Sequence, residues 1–240
     1  MPGPARRWPG GVLTGGDDAA VSYSLRHRYL IVLVLILVTI AFQLAARDGE
    51  IARMISVVLQ AATLIAAVAT AGSHIWVVRI TVAVCVVLVL AAAGAVLGTE
   101  RYGGDAARVV SLLLVSLAPP ALVVGLRNRF RQAGGITMHT MFGVLCLYLL
   151  IGLLFGTLFD VIVSISGDPF FTAPGTEQTS DFLYFSYATL TTVGYGDLTA
   201  ATGLGRSLAI TEALIGQIYL VTVVALIVSQ LGTSRARQDA

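Results

Sequence analysis

Long apolar stretches, joined by short polar connections, dominate the chain. Each is close to the roughly 20 residues, at ~1.5 Å rise per residue, that an α-helix needs to cross a bilayer. The pattern predicts an all-α membrane protein with six transmembrane helices, and short connections favour antiparallel neighbours. The predicted spans are 29–46, 54–72, 75–97, 107–126, 137–165 and 204–231.

Composition supports a membrane protein and gives no sign of an enzyme. Hydrophobic residues make up 57% of the chain and charged residues 12%, about half the charged fraction of a soluble domain. Cys85 and Cys146 lie inside apolar stretches and are expected to be buried hydrophobic residues. Because no catalytic triad, HExxH motif or carboxylate pair occurs, we expect neither enzymatic activity nor a cofactor, and no nucleic-acid partner.

The arginines set the expected orientation, a plasma-membrane protein with both termini in the cytoplasm. Residues 1–28 are rich in Gly and Pro and are expected to form a flexible cytoplasmic tail, with a second short tail at 233–240. A cleaved signal peptide is the alternative, but the apolar run from Tyr29 to Ala46 is longer than a usual signal core. The arginines assigned to the inner side are Arg6, Arg7, Arg26, Arg28, Arg79, Arg127, Arg129, Arg131, Arg235 and Arg237.

One external polar stretch, between the fifth and sixth spans, is much longer than the other connections. Within it, Ser180 and Asp181 are good helix N-cap residues, and about ten largely apolar residues follow without a helix breaker. Ten residues cannot cross a bilayer, but they can form a half-helix that enters from outside. The stretch therefore predicts a re-entrant pore helix at 181–191.

The heptapeptide TTVGYGD at 191–197 follows this half-helix. Glycine adopts positive φ without steric cost, so Gly194 and Gly196 can alternate backbone handedness with Val193 and Tyr195. The alternation turns successive carbonyl oxygens to one side. Four such strands around an axis would form stacked oxygen rings able to replace the water shell of a cation.

The segment TVGYGD resembles the signature of potassium channels, in which such carbonyl rings select K⁺. The resemblance covers roughly 136–232, an outer helix at 137–165, the pore helix, a filter at 192–196 and an inner helix at 204–231. It implies a homotetramer of this chain with three further copies of itself in a lipid bilayer, and K⁺ as the permeant ion. The implied K⁺ ligands are the carbonyls of Thr192, Val193, Gly194 and Tyr195, with the Thr192 hydroxyl innermost.

Several residues are expected to support the filter. Asp197 would face the outer mouth; simple bacterial relatives pair it with a pore-helix carboxylate, but that position is Ala188 here, which leaves Tyr184 as the candidate partner. Thr191 flanks the filter. Glu212, a carboxylate inside an apolar helix, has either a functional role or a structural hydrogen bond to Thr189 or Ser186, and we favour the structural role.

The inner helix carries the expected hinge and cavity. Gly216 follows Asp197 by nineteen residues, the family's spacing for the hinge glycine, although close helix packing is an alternative role. Gly205–Arg206 also stands where simple bacterial channels carry Gly-Arg. By resemblance, one face of the helix lines the cavity and forms an apolar gate at its lower end. That face carries Gln217, Leu220, Val224 and Val228.

The front helices, 29–131, are arranged like a voltage sensor but lack its charges. A sensor needs arginines at every third position of the fourth span and acidic partners in the preceding spans. The fourth span has only Arg108 at its outer end, and the second and third contain no acid. We therefore expect a potassium-selective, passive channel that is not voltage-gated, and the tail TSRARQDA is too short for a ligand-binding module.

Two alternatives to a potassium channel stay open, a non-selective cation channel of the same architecture and a non-conducting membrane subunit or scaffold. Two other interpretations agree poorly with the sequence. A nucleotide-binding loop fails because the third glycine of GxGxxG is replaced by Thr199. A potassium-uptake transporter would carry four pore repeats, whereas this chain carries one.

Overall fold

The computed structural model describes residues 15–71, 75–98, 103–133, 138–173 and 177–238, and the side chains of 29–71, 75–94, 105–128, 141–173 and 177–226. All regular elements among them are α-helices, which confirms the predicted all-α fold. The helices are α1 (Gly15–Ala45), α2 (Glu50–Thr70), α3 (Ile75–Gly98), α4 (Gly103–Ala133), α5 (Met138–Ser166), α6 (Thr179–Leu190) and α7 (Gly203–Gln238).

Five of the described helices, α2, α3, α4, α5 and α7, are long and apolar enough to cross a membrane. The chain is therefore a multi-pass membrane protein. The described apolar part of α1, Tyr29–Ala45, is shorter than these spans and falls just below the ~20 residues of a typical crossing. The sixth span thus stays a prediction.

The first and last described helices each extend into a predicted tail. Helix α1 begins at Gly15, inside the predicted flexible tail 1–28, and residues 1–14 lie outside the described residues. Asp17 and Asp18 favour the helix N-terminus, and extending a formed helix is much easier than nucleating one. Helix α7 continues past the predicted end at residue 231 to Gln238, because 233–238 contains no helix breaker.

The front helices α1–α4 pack together, and two of them also contact the elements that follow. Helix α2 lies against α1, α3 and α4, while α4 packs on α5 and α1 packs on both α5 and α6. Helix α6 lies between α5 and α7. Cys85 and Cys146 are buried, as predicted.

Candidate functional site

Helix α6 begins two residues earlier than predicted. Its N-cap is Gln178, whose backbone N–H donates to Asp181 Oδ2 at 3.1 Å. Ser180 and Asp181 therefore lie in the first turn of the helix and are not its N-cap. Asp181 occupies the third helical position, from which the acidic residue of a capping box accepts the N–H of the N-cap residue. From the α1–α2 connection, Asp48 also accepts the Thr179 N–H, with oxygens at 3.2 and 3.4 Å. The helix ends at Leu190, and Thr191 is its C-cap.

A buried aromatic cluster holds α6 against α5 and the loop that joins the two helices. Phe170 lies at its centre, with ring centroids 5.0 Å from Phe159 and 5.7 Å from Phe182. Large rigid rings in tilted and edge-on contact resist displacement. The cluster consists of Phe155, Phe159, Phe170, Phe171, Phe182 and Phe185.

Three tyrosines, one from each of α5, α6 and α7, hold these helices together, and the sequence analysis identified none of them. Tyr187 donates to the Leu149 carbonyl at 2.7 Å and Tyr148 to the Leu190 carbonyl at 3.2 Å. Tyr219 donates to the Val144 carbonyl and stacks on Tyr148 with ring centroids 5.6 Å apart. A tyrosine inside an apolar helix could have indicated these bonds, because a buried Tyr hydroxyl needs a hydrogen-bond partner.

The backbone of the TVGYG segment alternates in handedness. Thr192, Gly194 and Gly196 have φ of 58°, 52° and 81°, and Val193 and Tyr195 between them do not have positive φ. The predicted conformation of the two glycines is confirmed. Within the described part of the single chain, no atom lies within 4 Å of a Cβ built at Gly194 or Gly196. The positive φ is therefore the feature of this chain that requires glycine at these positions.

The segment is tied to α6 at its inner end. The N–H groups of Val193 and Gly194 donate to the Ala188 carbonyl at 2.9 and 3.2 Å, and the Thr192 N–H donates to the Thr189 carbonyl at 3.0 Å. Thr192 is a non-glycine residue with positive φ, a conformation that costs roughly 1–2 kcal/mol. Such a residue persists only where its surroundings hold it in place.

At the outer end, Tyr184 joins the filter segment to the pore helix. Its hydroxyl donates to Asp197 Oδ2 at 2.9 Å, and its ring is parallel to that of Tyr195 with centroids 6.3 Å apart. The sequence has Ala188 at the position where simple bacterial relatives carry a pore-helix carboxylate. Tyr184 was therefore the predicted partner of Asp197. Desolvation and then the Asp197 carboxylate raise the pKa of the Tyr184 phenol, so it remains a donor at neutral pH.

At the inner end, Gln217 lies against the filter segment. Its Nε2 donates to Thr192 Oγ1 at 3.0 Å. The sequence placed Gln217 on the cavity face but did not predict this contact. Thr191 turns its hydroxyl back to the Tyr187 carbonyl at 2.6 Å. Of the remaining predicted cavity residues, Leu220 and Val224 are exposed on α7, and Val228 lies outside the residues whose side chains are described.

Gly216 lies where α7 crosses the end of the pore helix. A Cβ at this position would collide with the Leu190 carbonyl oxygen and lie 2.9 Å from the Leu190 side chain. Helix α7 is continuous through Gly216. The close approach of α7 to α6 therefore accounts for a glycine here, the second of the two roles that the sequence offered.

Glu212 is fully buried, with 0% of its surface exposed. Its Oε1 lies 2.5 Å from the hydroxyl of Ser186, one of the two pore-helix residues proposed from the sequence as its partner. The same Ser186 hydroxyl lies 2.7 Å from the Gly152 carbonyl of α5. Glu212, Ser186 and Gly152 thus connect α7, α6 and α5 behind the filter segment.

The connection between the TVGYG segment and α7 is fixed by the loop between α5 and α6. Phe171 and Ala200 form an isolated antiparallel bridge, flanked by the Ala201 N–H donating to the Phe170 carbonyl at 2.7 Å. Arg206 Nε donates to the Ala200 carbonyl at 3.0 Å. A Cβ on Gly205 would lie 3.0 Å from the Phe170 ring, so the Gly205–Arg206 pair anchors the start of α7 beneath this loop.

Comparison with known proteins identifies the part of the chain that contains these features. Residues 143–232 match the family described as "Ion channel", a segment that includes most of α5, all of α6, the TVGYG segment and most of α7. No curated protein and no solved structure matches the chain. The match assigns residues 143–232, and not the front helices, to an ion channel type of domain.

Proposed function

We propose that the protein is a potassium-selective channel that conducts K⁺ passively across the plasma membrane. The observation that carries this proposal is the positive φ at Thr192, Gly194 and Gly196, alternating with Val193 and Tyr195. This alternation favours carbonyl oxygens on one side of the strand, the arrangement that replaces the hydration shell of K⁺. The carbonyls of Thr192, Val193, Gly194 and Tyr195 and the Thr192 hydroxyl are the proposed ligands, and both chain termini lie in the cytoplasm.

The channel is proposed to be a homotetramer. One chain supplies one filter strand, and a single strand of unpaired backbone is unfavourable in a membrane unless other protein surrounds it. Val193 and Tyr195 are 52% and 71% exposed in the isolated chain. One face of α7 is apolar and exposed as well, at Ile210, Leu214, Ile218 and Val221. Three further copies would cover these surfaces.

The proposed channel is not gated by voltage. Arg108, the one arginine in the fourth predicted span, already forms an ion pair with Asp160 of α5 at 3.1 Å. A charge held in this way against the pore-domain helix does not move through the membrane field as a sensor arginine must. The front helices therefore serve as a fixed support for the pore.

Potassium flux into liposomes that contain the purified protein tests the proposal. We expect uptake of K⁺ but not Na⁺, and loss of uptake in Gly194→Ala, because alanine is strained at a φ of 52°. Gly203→Ala is the matched control, since it lies outside the filter with open space around it and should conduct. Equal Na⁺ and K⁺ uptake would indicate a non-selective channel, and a crosslinked tetramer without any flux would indicate a non-conducting subunit.

A further inference from the structure

Ser186 stands between two oxygen atoms but has only one proton to donate. Its hydroxyl lies 2.7 Å from the Gly152 carbonyl and 2.5 Å from Glu212 Oε1. A carbonyl oxygen can only accept, so the contact with Gly152 requires the Ser186 proton. The contact with Glu212 is then a hydrogen bond only if the carboxyl group supplies a second proton.

Among the residues whose side chains are described, no hydrogen bond or ion pair besides the contact with Ser186 compensates an ionised Glu212. The ionisable groups facing it are Tyr148 from α5 and Tyr187 from α6, and both phenols already donate to backbone carbonyls, at Leu190 and Leu149. Both ion pairs among the described residues involve Arg108, so neither neutralises Glu212. Its second oxygen, Oε2, is buried without a hydrogen-bond partner.

The position of Glu212 beside the pore helix also disfavours a negative charge. Ser186 lies about one turn before the C-terminal end of α6 at Leu190, where the helix dipole is negative. A buried carboxylate with no cation and one unpartnered oxygen has a large desolvation penalty, whereas a neutral acid leaves only a carbonyl oxygen unpaired.

We propose that Glu212 is a neutral carboxylic acid that donates its proton to Ser186 Oγ, while Ser186 donates its own proton to the Gly152 carbonyl. The two hydrogen bonds run in one direction, from α7 through α6 to α5. Glu212 is thus a positioning residue that fixes the pore helix behind the filter, without itself contacting the permeating ion.

Infrared spectroscopy of the purified protein tests the proton directly. We expect the difference between wild type and Glu212→Gln at neutral pH to contain the C=O stretch of a protonated carboxylic acid. Glu50→Gln, the same change at an exposed position, should lack that band. A difference spectrum containing only carboxylate bands would overturn the proposal. This readout needs no conduction, so it remains informative even if the proposed potassium flux is not found.

A second variant keeps the test decisive if Glu212→Gln does not assemble. Ser186→Ala leaves Glu212 in place but removes its acceptor, so the acid band should move to higher frequency. An unchanged carboxylic-acid C=O band in this variant would contradict the proposed pairing.

In flux assays, which rest on the proposed function, Glu212→Gln should keep most of the wild-type flux because its amide can still donate a hydrogen bond to Ser186. Glu212→Ala should lose most of it.

Discussion

The Nε atom of Arg108 lies 3.1 Å from Oδ1 of Asp160, and this ion pair joins the front helices to the pore domain. Arg108 belongs to α4 and Asp160 to α5, with 20% and 8% of their side chains exposed. The guanidinium also lies 3.3 Å from Asp105, whose carboxylate accepts the Ser164 hydroxyl at 2.5 Å. The contact lies near the N-terminal end of α4, beside Thr179 at the start of α6.

Arg108→Gln should destabilise the protein. It leaves the buried Asp160 carboxylate without its ion-pair partner, and breaking a largely buried pair costs about 1–3 kcal/mol after allowance for the partial exposure of Arg108. Thermal unfolding in detergent should show a lower Tm, and Asp160→Asn added to Arg108→Gln should restore part of the loss. Arg47→Gln, the same change at an exposed position, should have little effect. An unchanged Tm in Arg108→Gln would show that the pair does not hold the domains together.

Open probability should not depend on membrane potential. Because Arg108, the one arginine of the predicted fourth span 107–126, is paired with Asp160, that span has no free arginine to cross the field. Single-channel recordings in planar bilayers should give the same open probability at positive and negative potentials, in wild type and in Arg108→Gln alike. Steep activation by voltage would contradict this interpretation of the front helices.

Gln217→Ala should weaken the inner end of the filter. The variant removes the donor to Thr192 Oγ1, and one such hydrogen bond contributes about 1 kcal/mol, or about a fivefold change in an equilibrium. We expect K⁺ flux to fall several-fold while the crosslinked tetramer persists. Val87→Ala, which truncates an exposed side chain of α3 away from the filter, is the control and should conduct normally. Equal K⁺ flux in both variants would show that Gln217 does not stabilise the filter.

Gly216→Ala should disturb the packing of α7 on the pore helix. The added methyl group would collide with the Leu190 carbonyl, and forced overpacking of this kind costs typically 1–3 kcal/mol. A lower Tm is expected, whereas Gly94→Ala in α3, where nothing lies within 4 Å, should leave Tm unchanged or raise it slightly. If Gly216→Ala were as stable as wild type but altered opening, the hinge role would be favoured over packing.

The sequence predicted features that arise from local pattern or from a single residue's backbone preference. Runs of apolar residues placed both ends of α2, α3 and α5 and the starts of α4 and α7 within about four residues, whereas α4 and α7 each continue seven residues past the predicted end. The glycines at 194 and 196 predicted the alternating backbone. The start of α6 was misplaced because Asp181 suits both an N-cap and the third helical position, so residue preference alone did not separate the two.

Pairings between distant parts of the chain were harder to predict. Arg108 was identified as a lone outer arginine, but its partner Asp160 lies in another helix and no local pattern connects them. The bonds of Tyr148 and Tyr219 to helix carbonyls depend on how α5, α6 and α7 pack. By contrast, the pairs Tyr184–Asp197 and Ser186–Glu212 could be anticipated, because the position of a short half-helix beside the filter limits the available partners.

The reversal potential with K⁺ on one side of a bilayer and Na⁺ on the other tests the central claim most directly. If the carbonyls of residues 192–195 replace the hydration shell of K⁺ and not that of Na⁺, the potential should lie far from zero in the direction set by K⁺. Gly194→Ala should give no current, and Gly203→Ala should reverse at the wild-type potential. A reversal potential near zero in the wild-type protein would contradict potassium selectivity.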